Sequence, residues 1–560
     1  MASSKGTDEL VFLPLGGCNE IGMNLNAFGF GPEGDRRWIL ADIGVTFGGD
    51  DTPGIDLICA DPEYLVGAKI EAVFLTHAHE DHIGAVGLLY PRLQTKAHIY
   101  ATAFTAELVR SKMEEQGVDT GVLKVVPLGA TVQAGAFNVQ YVTLTHSIPE
   151  PNALAIRTPL GTILHTGDWK IDPEPQIGEP TDIKGLTAIG DEGVLAMVCD
   201  STNVFEEGEA GSEATVFDGL ARLIKEQKQA VAVTTFASNI ARVKSIIDAA
   251  ELAGRSVCLV GRSMHKNTTA AKATGILPPT TEFVDEADAK SLPAENILYL
   301  CTGSQGEPRA ALSRMARGDH RHVQLVPGDT VIYSSRVIPG NEKGIYSLQN
   351  QLADQGIRII TPRMVDEPIH VSGHPCRGEL KRMYEWVRPE ISVPVHGERR
   401  HIMEHASYAK SLGVKQAITP RNGSLIRLAP GEAEIVDIVP TGRLYKDGGR
   451  LVPEGAQGLE ERIRLGASGI IFASVSINDS GEVEDGPVIV ARGFSEEDGR
   501  LADESLDTLD EAAEAAVYKM KRKERMDDDS VERVIGRSIR KASEKVFGRR
   551  PMIDVTVLRS

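Results

Sequence analysis

The stretch that most constrains this chain is Thr76-His77-Ala78-His79-Glu80-Asp81-His82, which follows the apolar, β-branched-rich run Glu71-Ala72-Val73-Phe74-Leu75. A run of that kind reads as a buried strand, so three imidazoles and a carboxylate stand in a loop at a strand end. Imidazole suits zinc-like ions, and a loop leaving a strand can turn alternate ligands towards two neighbouring ions. The 560 residues hold only 14 histidines, so three within six positions are not background.

The length is too great for one core and predicts three or four packing units. The formal charge of −19 argues against a protein that coats nucleic acid through bulk charge, while leaving room for a local basic channel. Six cysteines lie scattered, with no C-x-x-C pair, which fits reduced thiols. No apolar run approaches membrane-spanning length and the first residues lack a signal-peptide core. The expectation is a cytoplasmic protein with no membrane partner.

Along the chain, several strand-like runs end in an acid or a histidine: Asp42 after Trp38-Ile39-Leu40-Ala41, His146 after Gly135–Leu144, Asp168 after Thr162–His165, and Asp200 after Val194–Cys199. An unpaired carboxylate at Asp42 would be costly, and orienting a metal-bound histidine would satisfy it. Asp50, Asp51 and Asp56 read as a solvated turn. A helix is expected near Ile83, and His98 and His165 are expected in the core. From about residue 213 helices and strands alternate, the signature of a parallel α/β layer. Three turns in it, near Ser238-Asn239, Thr302-Gly303 and Ser334-Ser335, suit either phosphate handling or ordinary helix capping. Histidines return at His370-Val371-Ser372-Gly373-His374 and at His396, as though the chain re-enters its first domain near 370.

The ligands sort into two sets. His77, His79 and His146 would hold one ion, and Asp81, His82 and His396 the other, with Asp168 bridging. Two metals about 3.5–4 Å apart lower the pKa of a shared water and clamp the oxygens of a displacement. That suits hydrolysis of a phosphodiester, an ester or a lactam, and leaves the substrate open.

The H-x-H-x-D-H loop with Asp42, His146 and Asp168 resembles the metallo-β-lactamase fold, and the inserted domain followed by His374 and His396 resembles its β-CASP branch. Within that branch the chain is similar to the bacterial ribonuclease J family over essentially its full length. The motifs are Gly17–Asn24, Cys199–Asn203, Thr235–Ile240, Thr302–Pro308, Pro339–Glu342, His370–His374 and Pro394–Glu398. The resemblance implies an α/β architecture: an αββα metallo-β-lactamase sandwich from residues 1–210 and 369–448, a β-CASP α/β domain over 211–368, a linker over 449–462, and a small α/β domain over 463–560 for oligomerisation or RNA contact. It further implies catalytic roles for Asp81, Asp168, His374 and Asp200, with His374 the proton donor, and a phosphate pocket of His370, Val371, Ser372, Gly373 and His374 facing Phe236, Ala237 and Ser238.

The resemblance implies two divalent ions per subunit, zinc first, with manganese or magnesium as alternatives. A calcium site known near the 50–56 loop in some members would use Asp50, Asp51 and Asp447, although Gly48-Gly49 stand where many relatives carry proline and an acid. The expected activity is 5′-to-3′ trimming of single-stranded RNA from a 5′-monophosphate, plus internal cutting, in RNA maturation (including ribosomal RNA) and mRNA decay. Homodimers or homotetramers and partners in an RNA-degradation complex are expected with it. Rival readings are a small-molecule hydrolase of the same metal fold, a DNA-directed β-CASP nuclease, and an inactive scaffold of an RNA-processing complex. The roughly 150-residue insertion speaks against the first, and the intact ligand set against the last.

Overall fold

The structure, a computed structural model, describes residues 6–49, 51–495 and 503–560. The chain divides into two units, Met1–Thr46 with Ile58–Arg443, and Phe47–Leu57 with Leu444–Ser560.

In the first unit two sheets face each other. One runs, in strand order, Glu434–Ile438, Ser424–Ala429, Glu9–Gly16, Leu25–Gly31, Arg37–Ala41, Lys69–Phe74, His98–Ala101, Leu123–Val125. The other runs Gln416–Ala417, Ile391–Val395, Ala196–Asp200, Gly161–His165, Asn152–Thr158, Phe137–Thr143, Thr131–Ala134. The alternation of side chains along a strand sends Phe12, Phe28, Ile39 and Phe74 of the first sheet and Tyr141, Leu154, Ile156, Val198 and Val393 of the second into one shared core. Truncating one of these fully buried rings, as in Phe28→Ala, costs about 3–5 kcal/mol. The opposite set of residues on the second sheet, Leu164, Met197 and Cys199 among them, packs against Leu186, Leu380, Met383 and Ala409 of the helices Ile183–Glu192, Arg377–Val387 and Arg399–Ser411. Helix Ala103–Glu115 buries Phe104, Val109 and Met113. The result is the αββα sandwich.

Strand direction decides where the chemistry gathers. Arg37–Ala41 and Lys69–Phe74 run parallel. Phe137–Thr143, Gly161–His165, Ala196–Asp200 and Ile391–Val395 also share one direction. Asp42, the 76–82 loop, His146, Asp168 and His396 follow the C-terminal ends of these strands and Asp200 is the last residue of its own, where open α/β sheets gather their ligands. Between Asp200 and Ile391 the chain builds a five-stranded parallel sheet, Ser256–Val260, Ile297–Cys301, Val231–Thr234, Thr330–Tyr333, Arg358–Ile360, with apolar clusters on both faces.

The second unit packs helices Asp503–Lys519 and Asp528–Phe547 against the sheet Val483–Arg492, Ile470–Ile477, Met552–Arg559 through Val475, Ile489, Leu509, Val517, Ile535 and Ile539.

Four sequence expectations are corrected. The helix after the histidine loop spans Glu80–Ile83, so Asp81 and His82 belong to its first turn instead of preceding it. His98 is exposed, at the open first position of its strand, where Ile99 and Ala101 take the interior. The 449–462 stretch is no loose linker: Arg450–Pro453 pairs with Arg443–Asp447 in a hairpin, and Gln457–Ser468 is a helix. Of the three turns, only 235–239 leads straight into a helix, Ile240–Leu252, which Asn239 caps by accepting from the Arg242 amide. The other two wander to Ala311 and Glu342 before a helix begins.

Candidate metal centre

The 76–82 loop is shaped by what lies beneath it. Gly44 passes so close under it that an added Cβ would stand 1.6 Å from the Asp81 carbonyl oxygen. Only glycine permits that approach. The backbone of Asn24 donates to the Asp81 carbonyl (2.9 Å), and that of Ile43 to the His82 carbonyl (2.7 Å). Asp42 (φ 67°) and His396 (φ 52°) hold left-handed backbone, a conformation that side chains other than glycine rarely adopt and that concentrates at functional sites.

Four of the histidine rings are held at Nδ1, which leaves Nε2 turned to the site. The Thr76 hydroxyl donates to Asp42 Oδ2 (2.9 Å) and therefore accepts from His77 Nδ1 (3.0 Å). His82 Nδ1 donates to Asp42 Oδ2 (2.7 Å), His146 Nδ1 to the Gly373 carbonyl, and His396 Nδ1 to Asn24 Oδ1 (3.1 Å). With Nδ1 engaged in all four, four Nε2 atoms face Asp168. His79 presents Nδ1, 3.1 Å from His77 Nε2 and 3.0 Å from His146 Nε2.

Asp168 is the common neighbour. Its Oδ2 lies 4.0 Å from His77 Nε2 and His146 Nε2, 3.2 Å from His82 Nε2 and 3.4 Å from His396 Nε2. Asp81 Oδ2 stands 3.6 Å from both His82 Nε2 and His396 Nε2. Three overlapping donor groups result, His77–His79–His146–Asp168, Asp81–His82–Asp168–His396 and Asp168–Asp200–His374–His396, the atoms of each within 4.8 Å of one another.

Electrostatics fit a cation here. Burial and the neighbouring rings hold His77 and His146 well below the usual histidine range, and burial brings His79 down to about 4. These rings are neutral donors. Burial opposes charge on His82, yet Asp168, Asp81 and Asp42 together hold its proton far above the usual range, so positive charge is favoured at that point. Asp168 Oδ1 is buried without a hydrogen-bond partner, an expensive orphan that a bound ion would satisfy. Nitrogen-rich lone pairs, convergent carboxylates and an orphaned oxygen suit a divalent metal of the zinc type.

At the rim, His374 Nδ1 donates to Asp200 Oδ2 (2.8 Å). Burial disfavours its charge, but Asp200 and then Asp168 push it up to about 9. Asp200 is fixed in turn by the Thr202 amide (2.8 Å) and hydroxyl (2.7 Å).

The 370–374 segment hangs on two side chains that sequence reasoning left without a role. Asn203 Nδ2 donates to Ser372 Oγ (2.8 Å) and to the His374 carbonyl (3.0 Å). Arg242, fully buried, forks onto Glu213 (2.8 and 2.9 Å) and reaches the Ser334 carbonyl (2.9 Å), the Ile369 carbonyl (3.4 Å) and His370 Nδ1 (3.4 Å). Arg242 lies one turn past the cap that follows Phe236, Ala237 and Ser238, so one guanidinium ties that turn to His370. Asn24 and Thr76 were also missed as supports; both lie inside stretches singled out by sequence, but only their contacts reveal the task.

Among the described residues no ligand group contains Asp51 or Asp447. Asp447 is paired with Arg462. Asp50 lies outside the described residues. His165, expected in the core, is there, edge-on to Phe28 (5.8 Å between centroids) and held neutral by burial.

Comparison with known proteins agrees with this geometry. Family models match at residues 37–185 (Beta-lactamase superfamily domain), 228–352 (Ribonuclease J, beta-CASP domain), 363–420 (Zn-dependent metallo-hydrolase RNA specificity domain) and 457–560 (Ribonuclease J C-terminal domain). Ribonuclease J of Sinorhizobium meliloti is 43% identical over 98% of this chain and 97% of its own. Ribonuclease J of Mycolicibacterium smegmatis is 38% identical (97% and 96%), and that of Thermus thermophilus 36% (98% and 95%). A solved structure of an Enterococcus faecalis protein of unknown function shares the fold, with a TM-score of 0.52 and 17% identity over 75% of this chain and 100% of that one.

Proposed function

The chain belongs to the ribonuclease J family and is a metal-dependent ribonuclease; from that premise we propose that it trims RNA 5′ to 3′ from a 5′-monophosphate end and also cuts internally. The observation that carries this reading is the convergence of three donor groups on Asp168, one of them containing the His374–Asp200 pair.

His77, His79 and His146 would hold one divalent ion, and Asp81, His82 and His396 another, with Asp168 between them. Zinc is the first choice for such donors, manganese or magnesium the alternatives. Ions held there would supply Lewis acidity and offset charge building on the scissile phosphate. The protein's own groups do the rest. Asp42, Thr76, Asn24 and the Gly373 carbonyl fix the rings. Asp81 and Asp168 orient the attacking water, and His374, kept protonated by Asp200, hands its proton to the departing 3′ oxygen. His370 to His374 face Phe236, Ala237 and Ser238 as the pocket for the terminal phosphate.

With this activity go roles in RNA maturation, including ribosomal RNA, and mRNA decay in the cytoplasm, and homodimers or homotetramers that join RNA-degrading complexes. We assign residues 1–46, 58–210 and 369–443 to the sandwich, 211–368 to the β-CASP layer, and the C-terminal domain to assembly or RNA contact.

The test is one RNA bearing a 5′-monophosphate or a 5′-triphosphate, digested by wild type and by His79→Ala. Mononucleotides released faster from the monophosphate form, and lost in the variant, are expected. Equal internal cutting of both forms would remove the end-reading pocket. Equal cleavage of a 2′-deoxy strand would favour a DNA-directed nuclease.

A further inference from the structure

Resting on the reading of residues 370–374 as a phosphate pocket, we propose that Arg336 supplies that pocket's positive charge and sets the preference for a 5′-monophosphate end.

A phosphate monoester brings about −1.5 to −2 charge at neutral pH. The side chains of Phe236, Ala237, Ser238, Val371 and Ser372 offer no charge to meet it. Burial, and then Arg242, Arg336 and Lys170, hold His370 well below the usual histidine range, so it is a neutral donor. The charge on His374 faces Asp200 at 2.8 Å.

The three cations acting on His370 are unequal. The Arg242 side chain is 0% exposed and forked onto Glu213. That of Lys170 is 1% exposed, 3.0 Å from Asp172. The Arg336 side chain is 51% exposed and alone among the three can meet a ligand from solution.

Its placement is specific. Arg336 follows strand Thr330–Tyr333, whose Tyr333 pairs with Thr234 on the strand leading to Phe236, so both turns leave neighbouring strand ends. Gln305 Nε2 donates to the Arg336 carbonyl (2.8 Å) and fixes its backbone. One guanidinium nitrogen donates to Asn203 Oδ1 (3.1 Å), and Asn203 itself holds Ser372 Oγ (2.8 Å) and the His374 carbonyl (3.0 Å). The guanidinium is therefore one amide side chain from the pocket wall.

The other nitrogen donates to Glu206 Oε1 (2.8 Å), a pair in which both side chains are about half exposed. Such a pair is weak and screened by solvent. A terminal phosphate, more highly charged and matched to the guanidinium fork, displaces it. The nearby acids Glu207 and Glu209 are engaged by Arg377 (3.3 Å) and Arg382 (3.0 Å), leaving Glu206 as the carboxylate that competes.

The test is steady-state kinetics of the metal-replete enzyme on one single-stranded RNA with a 5′-monophosphate or a 5′-hydroxyl, and on its circular form, for wild type, R336Q, R336K and E206Q. R336Q is expected to raise KM for the monophosphate form about 10- to 100-fold, with kcat, the hydroxyl form and internal cutting of the circle unchanged. R336K should fall between, and E206Q should lower KM for the monophosphate form. Wild-type preference retained in full by R336Q overturns the assignment. Equal loss on all three RNAs overturns it too, by showing a general role. A wild type with no preference for the monophosphate overturns the phosphate-pocket reading itself.

Discussion

The donor cluster around Asp168 and the 370–374 segment touch through the bond from His146 Nδ1 to the Gly373 carbonyl, yet they are built on different terms. In the cluster most polar side chains are buried, and the rings of His77, His82, His146 and His396 each have Nδ1 held by a local or cross-sheet bond. The segment is half-buried along its polar side chains and is held from behind, by the Arg242–Glu213 pair and by Asn203. The first arrangement fixes donor geometry before any ion arrives, as precise chemistry demands. The second holds the backbone while leaving donors open to solvent, which suits reading an end that comes and goes. On the proposed reading, rigidity goes to the cleavage centre and adjustability to recognition.

The largest effect is expected at the rigid donor cluster. His79→Ala removes the donor shared between His77 and His146 and should slow cleavage of every RNA about 10³-fold or more, whatever its 5′ end, in single-turnover assays. Next, Arg242→Met strands the buried Glu213 carboxylate and should cost about 3–5 kcal/mol in urea unfolding. The double variant Arg242→Met/Glu213→Leu should recover most of that stability while still losing discrimination between 5′ ends. A double variant that kept full discrimination would show that Arg242 stabilises without positioning.

Asp42→Asn should weaken metal affinity about 10–100-fold in chelator competition, with end preference intact. The smallest effect is a displaced pH profile. Asp200 helps hold His374 at about 9. In Asp200→Asn the ring loses its proton at lower pH, so the basic limb of the rate profile should move down towards the ordinary histidine value, about 6.5. Activity would then fall near pH 8 and change little near pH 6. An unmoved limb would take the proton-donor role away from His374.

Local features were legible in the residues alone. An H-x-H-x-D-H loop after an apolar run places donors at a strand end, because strand period and loop entry depend only on neighbouring residues. The alternation of helix and strand after residue 213 likewise announced the parallel layer. Where burial depends on distant partners, local reading failed: His98 is as histidine-like in sequence as His165, yet one is exposed and the other packed on Phe28. The 449–462 stretch looked like a linker for its glycines, and it folds because Arg443–Asp447 is there to pair with.

Which nitrogen of the His77, His146 and His396 rings is free is settled by contacts in space. That choice belongs to Asn24, Thr76 and the Gly373 carbonyl, the first and last of them hundreds of residues from the rings they hold, at 372 and 227 positions' separation. A hydrogen bond is set by atoms in space, and the two facing sheets bring those atoms together by pointing their parallel strands at the same end of the sandwich.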